Sequence, residues 1–114
     1  MKTLDDLRLE ERERRALAEA TRRLRARFPV ERVILFGSRA RGDADAESDF
    51  DLLVLTAREL NWQERGQLVD CLFDIQLEHE VLLSPLSLAR RDWDEGLYRV
   101  LPIHLEVERD GIVL

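Results

Sequence analysis

Asp49 and Asp51 are the residues of this 114-residue chain whose type and spacing best suit chemistry. They open the run Asp49-Phe50-Asp51-Leu52-Leu53-Val54-Leu55-Thr56, whose unbroken apolar continuation predicts a strand covered on both faces. Side chains alternate along a strand, so the two carboxylates share a side, about 7 Å apart along the backbone. Phe50 and Leu52 face the other way and seat the strand. Bare carboxylates at that spacing repel and raise each other's proton affinity. A hard divalent cation with oxygen ligands removes the conflict. Two solvated acids at a strand start are the plainer alternative, and they leave the preceding turn unexplained.

That turn is Gly37-Ser38, which follows a short β-rich run, Glu31-Arg32-Val33-Ile34-Leu35-Phe36. A glycine here permits a sharp turn and lets a ligand approach the backbone. If Ser38-Arg39-Ala40-Arg41 begins a helical turn, its first N–H groups point outward, where phosphate oxygens are the natural guests. Arg39 and Arg41 then either neutralise the phosphates or pair with Asp43 and Asp45. The spacing is neither that of a P-loop, since no lysine follows, nor that of a dinucleotide fingerprint. One end of two strands would therefore hold a metal beside an anion cradle. Metal-assisted displacement at phosphorus needs that arrangement.

The elements that must position these residues can be read in outline. Residues 4–28 predict a helix with the stripe Leu17, Ala20, Leu24 and Phe28, ended by Pro29. Its first turns, Leu9 to Arg15, are charged enough to be a solvated face that projects from the body. Asn61-Trp62-Gln63-Glu64 reads as a capping box opening a helix to about residue 79. Val81 to Leu86 predicts a third strand, placed at a sheet edge or ended at Ser84 because Pro85 lacks a donor. Ser87 is the expected cap of a short helix containing Trp93 and Leu97. Pro102 and Gly111 bracket another helix, and Ile112-Val113-Leu114 closes the chain as a small strand or packed tail. The fold class is α/β (α+β): a small mixed sheet of three to five strands packed against helices, as one domain over residues 1–114.

Hydrophobic residues at 45% suffice for a core, and 37% charged residues sit around organised apolar runs. A net charge of −6 works against the basic stripe that nucleic-acid binders need. No apolar stretch approaches a bilayer span and no signal peptide is visible, so the expectation is a cytoplasmic protein without membrane contact. Cys71 is the single cysteine, which fits a reducing compartment and excludes an internal disulfide. His79 and His104 lack a zinc spacing and read as structural or exposed. Trp62 and Trp93 read as packing or interface residues.

The block Gly37-Ser38-Arg39-Ala40-Arg41-Gly42, followed by Ser48-Asp49-Phe50-Asp51-Leu52-Leu53-Val54, resembles the signature of the DNA-polymerase-beta-type nucleotidyltransferase superfamily. It is most similar to the minimal nucleotidyltransferase (MNT) group, and the resemblance extends over nearly the whole chain. It implies that Gly37 and Ser38 bind the triphosphate of ATP, with Arg39 and Arg41 beside them. Asp49 and Asp51 would coordinate Mg²⁺. It implies transfer of AMP to a hydroxyl, on present grounds a tyrosine of a partner. That partner would be a helical HEPN-like protein encoded nearby in a toxin–antitoxin pair, met as a homo- or hetero-oligomer. The family places a third acid on the next core strand, whereas this chain has Val81-Leu82-Leu83-Ser84. Glu80, at the edge of that stretch, is the candidate third catalytic acid, with Glu78 just before it. Without one, the alternative is a catalytically weakened nucleotide-binding regulatory subunit that modulates its partner by binding.

Overall fold

The computed structural model describes residues 2–42 and 48–114. In chain order its elements are β1 (Lys2–Thr3), α1 (Glu11–Arg27), β2 (Val30–Phe36), α2 (Ser38–Arg41), β3 (Phe50–Thr56), α3 (Trp62–His79), β4 (Leu83–Ala89), α4 (Arg90–Glu95), α5 (Pro102–Asp110) and β5 (Ile112–Val113). Short 3-10 turns fill Leu4–Asp6 and Leu97–Val100. Five strands form one mixed sheet in the order β1-β5-β2-β3-β4. β2 runs antiparallel to β3 and β5, while the pairs β1–β5 and β3–β4 are parallel. This is the small mixed sheet expected. No helix among the described residues is long and apolar enough to cross a membrane. Asp43 and Asp45, the expected surface partners of the two α2 arginines, lie outside the described residues.

β3 carries the site, and its surroundings hold it rigidly. Leu52, Leu53, Val54 and Leu55 are all buried, as a continuous apolar run requires of a strand covered on both faces. Leu52 and Val54 meet α1 and α3 through Leu17, Leu24, Leu72 and Ile75. Leu53 and Leu55 meet Trp93 and Val107 from the α4–α5 side. Trp93 is a core residue, with the buried His104 ring stacked on it at 4.5 Å between centroids.

Three expectations need correction. The first helix starts at Glu11, not residue 4, and it does not project. Glu10 caps it, its amide donating to Glu13 Oε1 at 2.9 Å. Upstream, Lys2 and Thr3 pair with Ile112 and Val113, and Leu4, Leu7 and Leu9 pack on the core. A strand pairing across the whole chain length overrides local helical preference there. Second, β4 runs from Leu83 to Ala89, past the Ser84 or Leu86 limits expected, because it pairs with all of β3 from Phe50↔Leu83 to Thr56↔Ala89. Pro85 is tolerated because β4 is an edge strand. Third, Ser87 lies within that strand and does not cap α4, whose N-cap is Ala89. The Asn61 capping box is as read: Glu64 N donates to Asn61 Oδ1 at 2.8 Å, and Asn61 N donates to Glu64 Oε1 at 3.0 Å.

Candidate active site

Phe36, the last residue of β2, pairs with Asp51, so the chain leaves β2 directly over that carboxylate. Gly37 follows with φ +77 and is buried. A β-carbon there would collide with Asp51 Oδ2, with Asp51 Cγ only 3.3 Å away. Only glycine lets the turn sit this close, and it also supplies the left-handed backbone. α2 begins at once: Ala40 N and Arg41 N both donate to Gly37 O, which leaves Ser38 and Arg39 at the amide-rich start. The Gly37 turn and the Asp51 carboxylate are therefore in contact.

Asp49 precedes β3 and Asp51 is its second residue. Ser84, in register with Asp51 on β4, donates its hydroxyl to Asp49 Oδ2 at 2.8 Å. The carboxyl of Asp51 is pushed above its ordinary pKa, first by burial, then by the charges of Asp49 and Glu106, with Arg41 opposing. Asp51 thus feels the charge of Asp49. Two carboxylates beside the left-handed Gly37 turn fit Mg²⁺, which keeps several waters and takes one or two carboxylates plus substrate phosphates.

The two α2 arginines have different fates. Arg39 turns inward and pairs with Glu13 of α1, with 10% and 8% of their side chains exposed. Its guanidinium also lies 4.0 Å from the Phe50 ring centroid. It braces α2 against α1 and β3 instead of reaching out as a free anion ligand. Arg41 faces the α5 side, bonded to Glu106 at 2.9 Å beside Asp51.

Glu80 is not brought to the pair. It caps α3 in the left-handed region at φ +55, exposed, its carbonyl accepting from Arg12. The parallel register sets Ser84, not a glutamate, opposite Asp51, and among the described residues no third Asp, Glu, His or Cys completes a metal-holding group. Glu80 instead lines a cleft of about 400 Å³ with Arg12, Glu13, Ser48, Phe50, Val81 and Leu82. Sequence reasoning missed the roles of Glu13, Ser84 and Glu106. The spacing of Glu10 and Glu13 carried a capping signal, whereas Ser84 and Glu106 reach the site only through register and helix packing.

The family model "Polymerase beta, Nucleotidyltransferase" matches residues 19–94, which contain β2, α2, β3 and both aspartates. The chain belongs to that nucleotidyltransferase family. A protein of Methanocaldococcus jannaschii named "Putative protein adenylyltransferase MJ0141" is 40% identical over 57 residues, covering 50% of this chain and 58% of that relative. A solved structure described as a "putative minimal nucleotidyltransferase" is 30% identical with a TM-score of 0.60, covering 93% of this chain and 97% of its own. The chain is thus a minimal nucleotidyltransferase domain. A toxin–antitoxin crystal structure with AMP-PNP shares the nucleotidyltransferase fold at 19% identity and a TM-score of 0.57, over 91% of this chain and 72% of that one.

Proposed function

We propose that this nucleotidyltransferase moves AMP from ATP onto a hydroxyl of a partner protein, a tyrosine in the leading reading. Mg²⁺ is the metal, and the chain serves as the antitoxin half of a pair with a HEPN-like helical protein. The observation that carries this is the contact between Gly37 and the Asp51 carboxylate, with Asp49 alongside. Gly37 and Ser38 seat the β- and γ-phosphates. Asp49 and Asp51 would hold the metal, which when bound would supply charge screening for the phosphates. The acceptor oxygen attacks the α-phosphorus as its bond to the β-phosphate oxygen breaks, and the hydroxyl proton is released. Arg41, beside Asp51, balances charge as pyrophosphate leaves. The protein acceptor is supported by the named adenylyltransferase relative and by the solved toxin–antitoxin fold neighbour.

Ser84 favours a second reading. A hydroxyl at the strand position facing Asp51 tethers Asp49 but adds no charge to the metal, so binding outlasts chemistry. One experiment separates the two. The protein is incubated with Mg²⁺, α-labelled ATP and the product of its neighbouring gene. The transferase reading expects label on the neighbour, lost in Asp49→Asn. ATP binding by calorimetry with no transferred label would leave only the regulatory reading.

A further inference from the structure

α3 buries one face and leaves the opposite one bare. Leu68, Cys71, Leu72 and Ile75 make the buried side. Opposite them Trp62, Val69, Phe73 and Leu77 recur at intervals of seven and four residues, 81%, 53%, 54% and 66% exposed. Gly66 continues the row, with open space where a side chain would be. At 1.5 Å per residue the row is about 22 Å long. Exposed apolar residues scattered singly need no explanation, but a continuous row on one helix marks an interaction face.

The borders of the row decide what covers it. Asp70 and Asp74, one turn apart, are exposed along one border, and neither has an ion-pair or hydrogen-bond partner among the described residues. Elsewhere the surface is laced with pairs, including Glu64 with Arg58 and Glu19 with Arg22 and Arg23. The other border holds Arg65, bonded to Glu59, and Gln76, which accepts from Leu83 N. A second copy packed antiparallel would set Asp70 and Asp74 against their own mates. Packed parallel, Arg65 would come within reach of the mate's Asp70 across the seam, but Asp74 would face Gln76 with no counter-ion. An anionic lipid surface would be repelled by that border and by the net charge of −6. A helix with an apolar seam and Lys or Arg beside it satisfies both features.

The row also leads to a cleft. Past Leu77 the chain reaches Val81 and the 55% exposed Leu82, which line that cleft together with Ser48 and Phe50. We propose that the bare face of α3 is the docking rail for a helical protein that presents an apolar seam bordered by basic residues. Docking there delivers the end of the partner's helix to that cleft. This rests on the reading above that the acceptor is a protein.

Two helical peptides of equal length are the probes, one with a leucine seam bordered by lysines, the other bordered by glutamates. Trp62 is exposed and Trp93 buried, so a blue shift of tryptophan emission reports docking on α3. The lysine peptide is expected to bind at least about tenfold tighter than the glutamate peptide. Phe73→Asp is expected to weaken it by about tenfold or more, with thermal unfolding unchanged. The Asp70→Lys, Asp74→Lys double variant is expected to reverse the preference, which a merely sticky face would not do. Equal binding of both peptides, binding of neither, or an unreversed preference overturns the proposal. So does a dimer in sedimentation equilibrium that Phe73→Asp dissolves. The two readings fail separately. Peptide docking without any labelled acceptor sinks the transferase and leaves the rail. AMP transfer to a protein acceptor that Phe73→Asp leaves unchanged sinks the rail alone.

Discussion

Arg39 and Arg41 sit two residues apart on one turn of helix, yet they belong to different regimes. Arg39 enters the α1 side of the sheet, where Glu13 and the Phe50 ring enclose it. Arg41 stays on the α5 side, where its pair with Glu106 keeps 34% of each side chain exposed and neighbours Asp51. A cation enclosed with one counter-ion is a structural brace that cannot leave without stranding that partner. A half-exposed pair is weak and can be traded for a better anion. Residue type alone gives the two arginines the same role, and the layer each enters separates them.

The largest effect expected from this contrast is on stability. Arg39→Ala should cost about 3–5 kcal/mol in urea unfolding, because Glu13 would stay buried without its partner. Replacing both residues together, Glu13→Leu with Arg39→Met, should recover most of that loss. A cost below about 1 kcal/mol for Arg39→Ala would mean that the pair is no brace. Arg41→Ala should show the reverse profile. Its stability should change by less than about 1 kcal/mol, while the KM for ATP rises by about tenfold with a smaller change in kcat. If both variants raise KM alike, Arg39 does reach substrate and the division fails.

A smaller effect tests the Asp51 side of the contrast. Burial and neighbouring charge raise its carboxyl pKa in the folded chain above the ordinary 3.8. The folded state then holds its proton more tightly than the unfolded one, so this group's contribution is favourable in acid and lost as pH rises past 3.8 through the folded pKa. At neutral pH without Mg²⁺, Asp51→Asn should therefore melt a few degrees higher than the parent, roughly what 1 kcal/mol gives a chain this size. The gap should close as pH falls, and Mg²⁺ should narrow it by stabilising the parent alone. A parent that melts higher than Asp51→Asn in metal-free buffer would remove the claim of a strained carboxylate.

The smallest expected effect is a benchmark far from both arginines. Glu64 is held down to about 2, first by Arg58 and then by the Asn61 amide. A depressed carboxylate stabilises above its ordinary 4.5, and that contribution is lost as pH falls from there toward about 2. The difference in melting temperature between the parent and Glu64→Gln should shrink over that window. Persistence of the full difference at pH 2 would show the cap to be independent of charge.

Much of this was legible because it is local. Asn61 and Glu64 are three residues apart, Pro102 and Gly111 mark helix ends by their own backbones, and Asp49 and Asp51 share a side by strand alternation. What was misread involves partners distant in the chain. Residues 4–10 look helical until the ladder of Lys2 and Thr3 with Ile112 and Val113 draws the chain before α1 onto the sheet edge. Ser87 looks like a cap until β3 extends β4 past it. Glu80 looks like a third acid because it is near in sequence to β4, but the parallel register places Ser84 opposite Asp51.

By itself the sequence singled out Gly37, Asp49 and Asp51 as candidates, since that reading depends on backbone freedom at one glycine and on side-chain alternation from residue 49 to 51. Only the tertiary structure decided which charges serve the site and which serve the fold. An arginine's role depends on the dielectric and the counter-ion it meets. Those are set by Glu13, Phe50 and Glu106, contributed by α1, β3 and α5, and no local pattern in the chain encodes their convergence on α2.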